Sequence, residues 1–500
     1  MPHVLLINPW ITDFAAYDFW LKPLGLLYIG AVLKEAGYEI SLIDCLDRYD
    51  EELLEYQQLR EPRNRFFKTG KFHREIIEKP HIYRDVPRNY ARYGLPLSLF
   101  RSKLSHLRKP DVVLVTSGMT YWYPGVQQAI NEIRQQWPDV PVALGGIYAT
   151  LCREHAIQHS GADFVVSGEA ELKALQLVDS LCGIKREYKN FPTSLDALPW
   201  PAFDLYDRLG FATILTSRGC PLSCSFCASR IVSGPYRWRY PENVVHELEY
   251  YVKKLCVDEI AFYDDALLTN YRRHLSVILE KILAINLPVN FHTPNGLQCK
   301  LIQEDIAELM YRANFKTIRL SYESANPERQ KFDMSKKVSN ESFVRAVNNL
   351  YKAGYKTGEL DAYVMIALPG QTLEEMLWSM AFVHAQGVKI RLATFSPIPG
   401  TMDYQRAIEQ GLITENTDPL LTNNSIVPIK PKGTNYHTFE KINLLAKGLN
   451  QELLNGQIYK DVASLVKYLK RHFTHEEIGG QSNITIPSLV TRNTQLTTNN

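Results

Sequence analysis

Short apolar runs alternate with helical segments along two long stretches of the chain, and this alternation constrains the fold most strongly. In the first stretch, apolar runs at residues 4–8, 39–44, 111–117, 140–146 and 162–169 are separated by helical patterns such as 24–38 and 124–137. Continuous apolar runs are typical of parallel strands buried on both faces. The first stretch therefore predicts an α/β fold with a doubly wound parallel sheet.

The second stretch begins at Phe211 and alternates about six times. Its predicted strands cover residues 211–215, 258–265, 289–297, 317–324, 361–372 and 391–401. The polar groups of this stretch come where each strand ends, which is the catalytic face of a β/α barrel. We therefore expect a barrel of parallel strands after the N-terminal sheet.

Ligands of doubly wound sheets bind at the carboxyl ends of the strands, where glycines let the backbone approach a ligand closely. We therefore predict that the strand ends of the N-terminal sheet contact a ligand. The residues concerned are Ser117, Gly118, Gly145, Gly146, Gly168 and Glu169.

Three cysteines follow the first predicted strand of the barrel. Cys220, Cys224 and Cys227 form a C-x3-C-x2-C array. Thiolates hold iron–sulfur clusters, normally four per cluster, so three would leave one iron open for another ligand. The alternatives are chance and a structural zinc, which usually takes four ligands in paired groups that this chain lacks.

This array, with Phe226 before the last cysteine, resembles the signature of the radical S-adenosylmethionine (SAM) enzymes. The resemblance implies a six-unit partial barrel, a [4Fe–4S] cluster on the three cysteines, and SAM cleaved at the open iron to a 5′-deoxyadenosyl radical. It also assigns polar residues at later strand ends to SAM, and Phe226 to the cluster edge. These polar residues are Asp264 and Asp265 near the methionyl ammonium, and Glu323 and Ser324 near the ribose hydroxyls or the ammonium.

The N-terminal segment, with Gly145-Gly146 and Gly168-Glu169, resembles the cobalamin-binding-type domain that precedes many radical SAM domains. It lacks the Asp-x-His-x-x-Gly sequence that supplies a histidine to cobalt in cobalamin mutases, so histidine ligation has no support. The resemblance implies cobalamin as a further cofactor; a domain that kept the fold without the ligand is the alternative.

The predicted domain organisation has five parts. They are a cobalamin-binding-type domain at 1–185 with an insertion at 46–110, a linker at 186–207, the barrel at 208–420, a helical region at 421–478 and a flexible tail at 479–500. The insertion is rich in arginine, lysine and aromatic residues, and two interpretations stay open. It is either a lid that grips an anionic or aromatic substrate, or a solvated helical excursion docked on the sheet edge.

Bulk properties exclude several classes of protein. The net charge of +2 predicts no nucleic-acid affinity. Eight cysteines in 500 residues are no disulfide scaffold, and an iron–sulfur cluster needs a reducing compartment, so we expect the cytoplasm. The N-terminus does not read as a signal peptide, and no apolar run approaches the roughly 20 residues that span a membrane.

The leading hypothesis is a radical SAM enzyme that abstracts hydrogen from a small-molecule substrate, with cobalamin-dependent methylation as the commonest outcome implied by the resemblance. Radical cyclisation or rearrangement without methyl transfer remains open. A cobalamin or redox sensor without turnover and simple electron transfer are rivals from other classes. An enzyme of this kind needs an external electron donor of the flavodoxin or ferredoxin type.

Overall fold

A computed structural model describes residues 1–189 and 191–478, so the predicted tail at 479–500 lies outside the described residues. The N-terminal part contains eight strands and seven α-helices in its described residues. In chain order they are β1 (His3–Asn8), β2 (Ile11–Asp13), α1 (Leu24–Glu35), β3 (Glu39–Asp44), α2 (Glu51–Tyr56), β4 (Arg74–Ile76), β5 (Ala91–Tyr93), α3 (Leu97–His106), β6 (Val112–Val115), α4 (Tyr123–Gln136), β7 (Val142–Leu144), α5 (Gly146–Leu151), α6 (Arg153–His159), β8 (Phe164–Val165) and α7 (Glu171–Leu181).

Five of these strands form a parallel sheet in the order β3-β1-β6-β7-β8. Alternate residues of β1 enter different cores: Leu5 packs with α4, and Leu6 packs with α1 and α7. Helices therefore cover both faces, which is why these strands read as unbroken apolar runs. The predicted doubly wound sheet is confirmed.

The insertion contains α2 and α3, and its strands β4 and β5 join β2 in a small antiparallel sheet in the order β2-β5-β4. Each of its strands has only three residues, and β2 pairs with a strand about 80 residues later in the chain. Its tip docks at the amino ends of the barrel strands, where Phe67 contacts His292 and Lys68 pairs with Asp258. The tip of the insertion therefore lies at the end of the barrel opposite the strand ends that carry the predicted site residues.

The second part of the chain alternates between strands and helices as predicted. Its elements are β9 (Ala212–Ile214), β10 (Ser217–Arg218), α8 (Ser229–Ser233), β11 (Arg237–Trp238), α9 (Pro241–Lys253), β12 (Glu259–Phe262), α10 (Leu275–Ala284), β13 (Asn290–His292), β14 (Leu297–Gln298), α11 (Glu304–Arg312), β15 (Phe315–Glu323), α12 (Pro327–Phe332), α13 (Asn340–Ala353), β16 (Leu360–Ile366), α14 (Leu373–Ala385), β17 (Lys389–Thr394) and α15 (Met402–Glu409).

Six parallel strands form the barrel wall in the order β17-β16-β15-β13-β12-β9. Ile318, Leu320 and Tyr322 of β15 pack against the outer helices, whereas Thr317 and Arg319 lie on the other face of the strand. Leu27 and Tyr28 of α1 join the same core, so the N-terminal sheet and the barrel share packed side chains.

Up to residue 478, three further α-helices follow the barrel: α16 (Tyr436–Leu454), α17 (Val462–Lys470) and α18 (His475–Ile478). α17 packs against α14, and α16 packs against the edge strand β17. There the side chain of Asn450 donates to the carbonyl of Ile390 at 2.9 Å and accepts from its N–H at 2.7 Å. The free edge of the barrel is thus covered at this point.

None of the helices within the described ranges is both long enough and apolar enough to cross a membrane.

Candidate functional site

The three cysteines lie in the loop that follows β10 at the carboxyl end of the barrel. Cys220 and Cys224 are half-buried, Cys227 is exposed, and all three are free thiols. Burial raises the pKa of Cys220, and it raises the pKa of Cys224 to about 12. Cys227 contributes electrostatically to both shifts, so the thiols lie close enough to influence one another.

The donor set fits a cluster better than a single metal ion. Within residues 1–189 and 191–478, no three His, Cys, Asp or Glu side chains are grouped so that they could hold one ion. The cysteines of a cubane cluster bind different irons, so their sulfurs lie farther apart than the ligands of one ion. Three thiols without a fourth ligand suit a cluster with one open iron and do not complete a zinc site.

Asp264 fixes the start of the cysteine loop. Its carboxylate is buried and accepts hydrogen bonds from Thr216 N at 3.1 Å, Thr216 Oγ1 at 2.7 Å and Ser217 Oγ at 2.5 Å. Burial raises the pKa of Asp264 to about 6, against the opposing effect of these donors. These bonds give Asp264 a loop-holding role, and its predicted contact with SAM stays a prediction.

Close backbone packing explains one glycine of the loop. Gly219 has a φ of +79°, and a Cβ at this position would lie 2.6 Å from the carbonyl oxygen of Gly234. A larger residue would displace the chain between Ser217 and Cys220.

The outer half of the loop is held by two later acids that the sequence did not single out. Ser225 donates its N–H to the carbonyl of Asp333 at 2.8 Å and its hydroxyl to the carboxylate of Asp403 at 2.7 Å. Arg406 joins the two acids, with Nη1 at 2.7 Å from Asp333 and 2.8 Å from Asp403. The loop geometry is therefore set by the segments after β15 and β17.

Glu323 ends β15 with a buried carboxylate and a left-handed backbone, φ 63°. Its Oε1 accepts from Lys337 Nζ at 2.9 Å, while its Oε2 is buried without a hydrogen-bond partner. Burial lowers the pKa of Lys337, but Glu323 and Cys224 outweigh this effect and raise it. The ammonium of Lys337 lies 5.5 Å from the ring of Phe226. An orphaned acceptor beside the cysteine loop fits a ligand hydroxyl or ammonium.

Ser324, the next residue, is fully buried. Its hydroxyl donates to Glu375 at 2.9 Å and accepts from the N–H of Asn326 at 3.1 Å. These contacts hold the turn after β15. Its predicted contact with a cofactor stays a prediction.

A cavity of about 460 Å³ lies between the N-terminal sheet and the barrel, and apolar side chains line most of it. It brings together the strand ends of the N-terminal sheet and one of the three predicted acids of the barrel. The predicted site residues that line it are Ser117, Gly118, Gly145, Gly146, Gly168, Glu169 and Asp265. Asp265 also acts electrostatically on Cys220, so the cavity lies next to the cysteine loop.

The sheet side of the cavity is shaped by backbone contacts. Ser117 Oγ donates to the carbonyl of Gly145 at 2.7 Å and accepts from Tyr148 N at 3.0 Å. Gly146 has a φ of +87°, and a Cβ there would lie 2.5 Å from the carbonyl oxygen of Ser117. Gly146 therefore packs against Ser117, whereas a Cβ at Gly145 would meet nothing closer than the Val166 carbonyl oxygen, at 3.8 Å, so Gly145 leaves space on this wall.

Ion pairs join the two walls of the cavity. Glu169 pairs with Arg237 and lies 3.5 Å from Arg218 Nη1, which pairs with Glu171 at 2.7 Å. The guanidinium of Arg218 lies 4.7 Å from the centre of the Tyr28 ring. Sequence reasoning missed Arg218, although it stands two residues before Cys220, because nothing local identifies its partners.

Two family models match the chain. Residues 214–383 match the Radical SAM superfamily, and residues 103–178 match the B12 binding domain. The first range covers the cysteine loop and most of the barrel. The second covers strands β6, β7 and β8 with four of the five glycines that line the cavity.

Two curated relatives align over most of their own length. The chain is 28% identical to an uncharacterized methyltransferase of Pyrococcus horikoshii, over 71% of this chain and 81% of the relative. It is 24% identical to the cytidylyl-2-hydroxyethylphosphonate methyltransferase of Streptomyces wedmorensis, over 82% of each chain.

Among solved structures, the fold is similar to that of the radical S-adenosylmethionine methyltransferase TsrM from Kitasatospora setae. The TM-score is 0.61 at 16% identity, covering 84% of this chain and 80% of TsrM. At this identity the match supports the arrangement of a sheet domain and a barrel.

Proposed function

Because this chain belongs to the radical SAM superfamily and carries a B12-binding domain, we propose that it transfers a methyl group to a carbon atom of a small-molecule substrate. The observation that carries the proposal is the cavity shared by the strand ends of the N-terminal sheet and the barrel. Both curated relatives described above bear methyltransferase names.

When bound, the [4Fe–4S] cluster with SAM supplies hydrogen abstraction from an unreactive C–H bond, and cobalamin supplies the methyl group. In this proposal Cys220, Cys224 and Cys227 hold the cluster as thiolates. Glu323 offers its unpartnered Oε2 to SAM, and Lys337 balances the carboxylate charge. The apolar walls of the cavity exclude water from the reacting groups.

The sheet side of the cavity would hold cobalamin. The space beside Gly145 would let a flat macrocycle approach the backbone, while Gly146 packs against Ser117, which fixes the two strand ends relative to each other. Glu169 is tied to Arg218 and Arg237 of the barrel, so the chain keeps the two cofactor sites facing one cavity.

We also propose a one-electron donor of the flavodoxin or ferredoxin type and a location in the cytoplasm. All eight cysteines are free, as expected of a reducing compartment. Reduction of the cluster-loaded protein by a purified flavodoxin or ferredoxin, followed by absorbance, tests the donor.

The central experiment is anaerobic reconstitution with iron, sulfide, hydroxocobalamin, SAM and dithionite. We expect 5′-deoxyadenosine in the wild type and none in Cys224→Ala. Cys256→Ala is the matched control, since Cys256 is an exposed cysteine outside the loop and its loss should leave the yield unchanged. If the cluster-loaded protein forms no 5′-deoxyadenosine with any reductant, the proposal is wrong.

Methyl transfer is tested separately from SAM cleavage. With dithionite present to reduce the bound corrin, SAM carrying an isotopically labelled methyl group should transfer the label to the corrin and leave S-adenosylhomocysteine. Absorbance and mass spectrometry measure the transfer. Formation of 5′-deoxyadenosine without labelling of the corrin or of any product would exclude methylation and favour radical cyclisation or rearrangement.

A further inference from the structure

A second cavity, of about 680 Å³, lies at the amino ends of the barrel strands. Its wall includes Thr317 and Arg319 of β15, Asp361 of β16 and Lys389 of β17. The same β15 strand ends at Glu323 beside the cysteine loop. At roughly 3.3 Å per residue, Thr317 and Glu323 lie about 20 Å apart. This cavity is therefore distant from the proposed reaction site.

The walls of the second cavity carry an excess of positive charge. Two carboxylates line it, Glu359 and Asp361, together with six cationic side chains, which leaves an excess of four positive charges. The cations are Arg312, Lys316, Arg319, Lys356, Lys389 and Arg391. Such a cluster on the wall of a concave site favours an anionic ligand.

Arg319 provides a buried donor without a partner. The residue is 6% exposed, and its Nε has no hydrogen-bond partner among the described residues. The rest of the guanidinium is held in place, because Nη1 donates to Tyr363 Oη at 2.7 Å and the Phe19 ring lies 4.7 Å away. An unsatisfied buried donor is unfavourable unless a ligand accepts its hydrogen bond.

Arg391, on the neighbouring wall, is a second arginine whose buried Nε makes no hydrogen bond. Its Nε lies 3.2 Å from Asp361 Oδ2, yet it is buried without a well-oriented hydrogen bond, and Asp361 also lies 3.4 Å from Lys389. One carboxylate thus serves two cations. Two guanidinium groups with free donors can bind the several oxygens of a phosphate at once.

The insertion supplies an aromatic wall. Phe66 and Phe67 line the cavity, and Phe66 is 48% exposed. Exposed rings beside a cationic wall suit a ligand with an anionic group and an organic portion. A ligand held there would contact both the insertion and the barrel.

Buried aromatic residues separate this cavity from the first one. Tyr263 lines the first cavity and donates to the carbonyl of Trp20, whose ring stacks on His292 with 4.1 Å between centroids. His292 in turn bonds to Thr317, at 3.0 Å, on the wall of the second cavity. Trp20 and His292 are fully buried, so the two cavities are distinct sites.

We propose that the amino-end cavity binds the phosphate group of a small organic phosphate. The phosphate oxygens accept from Arg319 and Arg391, Lys389 adds charge, and Phe66 and Phe67 contact the organic portion. The bound molecule fastens the tip of the insertion to the barrel. This site does not depend on the reaction assigned to the first cavity.

The test measures thermal unfolding of the full-length, cofactor-loaded protein with increasing AMP or inorganic pyrophosphate. We expect both to raise the Tm saturably, by about 2–5 °C, because a ligand that binds only the folded state stabilises it. Sodium chloride at matched ionic strength should not reproduce the rise. Equilibrium dialysis of labelled AMP gives the Kd.

Arg391→Gln and Lys389→Gln should each raise the Kd for AMP at least tenfold, and both side chains are exposed enough for the variants to fold. Lys254→Gln is the matched control, because Lys254 is an exposed lysine at the same end of the barrel but outside the cavity. Absence of a saturable rise, or equal Kd values in the wild type and Arg391→Gln, would overturn the proposal. A rise with pyrophosphate but not with AMP would overturn the role of the two phenylalanines.

Discussion

Two strand-end edges face the first cavity, and they are built from different groups. The edge of the N-terminal sheet presents glycines and main-chain atoms around Ser117, Gly145 and Gly146. The edge of the barrel lies beside three thiols and the buried Glu323–Lys337 ion pair. One edge is defined mainly by shape and the other mainly by charge.

This difference predicts how a substitution on each edge should act. A substitution on the sheet edge acts through steric displacement and should change cobalamin affinity alone. A substitution on the barrel edge leaves a buried charge without its partner, so it should change stability and SAM binding together. The four predictions that follow, ordered by the size of the expected effect, test this separation.

The largest effect is expected for Glu323→Gln. Glu323 is 5% exposed and is the carboxylate paired with Lys337, so its loss leaves a buried ammonium uncompensated. We expect unfolding to become easier by about 3–5 kcal/mol, measured in urea, and SAM binding to weaken. Cobalamin affinity should stay unchanged.

The double variant Glu323→Gln/Lys337→Gln is the control. It removes both charges, so it should recover at least half of the lost stability without recovering SAM affinity. If the double variant is no more stable than Glu323→Gln, the ion pair is not the cause. If both variants bind SAM as tightly as the wild type, Glu323 has no part in the SAM site.

The second effect concerns Asp264 and pH. The pKa of Asp264 is raised by burial from its ordinary value of 3.8 to about 6 in the folded chain. Between these values the folded state holds a proton that the unfolded state has released, so the unfolding free energy falls as the pH rises from 4 to 6. In Asp264→Asn this contribution is absent.

The unfolding free energy of the wild type minus that of Asp264→Asn should therefore fall by about 2 kcal/mol from pH 4 to pH 6. Urea unfolding of both proteins across this range measures it. If the difference stays constant with pH, then burial does not raise the pKa of Asp264 in the folded chain.

The third effect is steric and belongs to the sheet edge. Gly146→Ala places a Cβ 2.5 Å from the Ser117 carbonyl at a positive φ, which costs about 1–3 kcal/mol. We expect cobalamin binding, followed by absorbance, to weaken while the cluster and 5′-deoxyadenosine formation remain.

Gly448→Ala is the matched control, because that glycine lies in α16 with nothing within 4 Å of an added Cβ. It should leave both cofactors unaffected. Loss of SAM cleavage in Gly146→Ala with intact cobalamin binding would reverse the proposed division between the two edges.

The smallest effect is expected where the two edges are joined. Arg237 and Glu169 form an ion pair in which each side chain is 34% exposed, and solvent screens such pairs. Arg237→Gln should destabilise the protein by about 0.2–1 kcal/mol, less at high salt. A loss above roughly 2 kcal/mol would show that solvent screens this ion pair less than its exposure indicates.

Local patterns predicted the strands, the cysteine loop and the strand ends, but they did not separate Asp264 from Asp265. Both acids follow β12, where the period-two alternation of a strand no longer applies. In the structure, Asp264 accepts hydrogen bonds from Thr216 and Ser217, whereas Asp265 lines the cavity. The two acids differ because Asp264 has hydrogen-bond partners on another loop, and the sequence does not show which residues of that loop it will contact.

The insertion was harder to predict for a related reason. Strands of three residues are too short to show a period, and β2 and β5 are joined across a long loop. Their pairing depends on a sheet edge that forms only when the chain has folded back. The insertion therefore combines the helices α2 and α3 with two short strands that the helical interpretation did not include.

The sequence by itself determined the two α/β parts and the three thiols, because buried strands and cluster ligands are specified by neighbouring residues. Only the tertiary structure decided that Lys337 balances Glu323, that Arg218 joins both walls and that cations gather at the amino end of the barrel. Those contacts join residues whose distance along the chain says nothing about their distance in space. Charge and burial act through space, so their effects on pKa values and on the choice of ligand follow only from the folded structure.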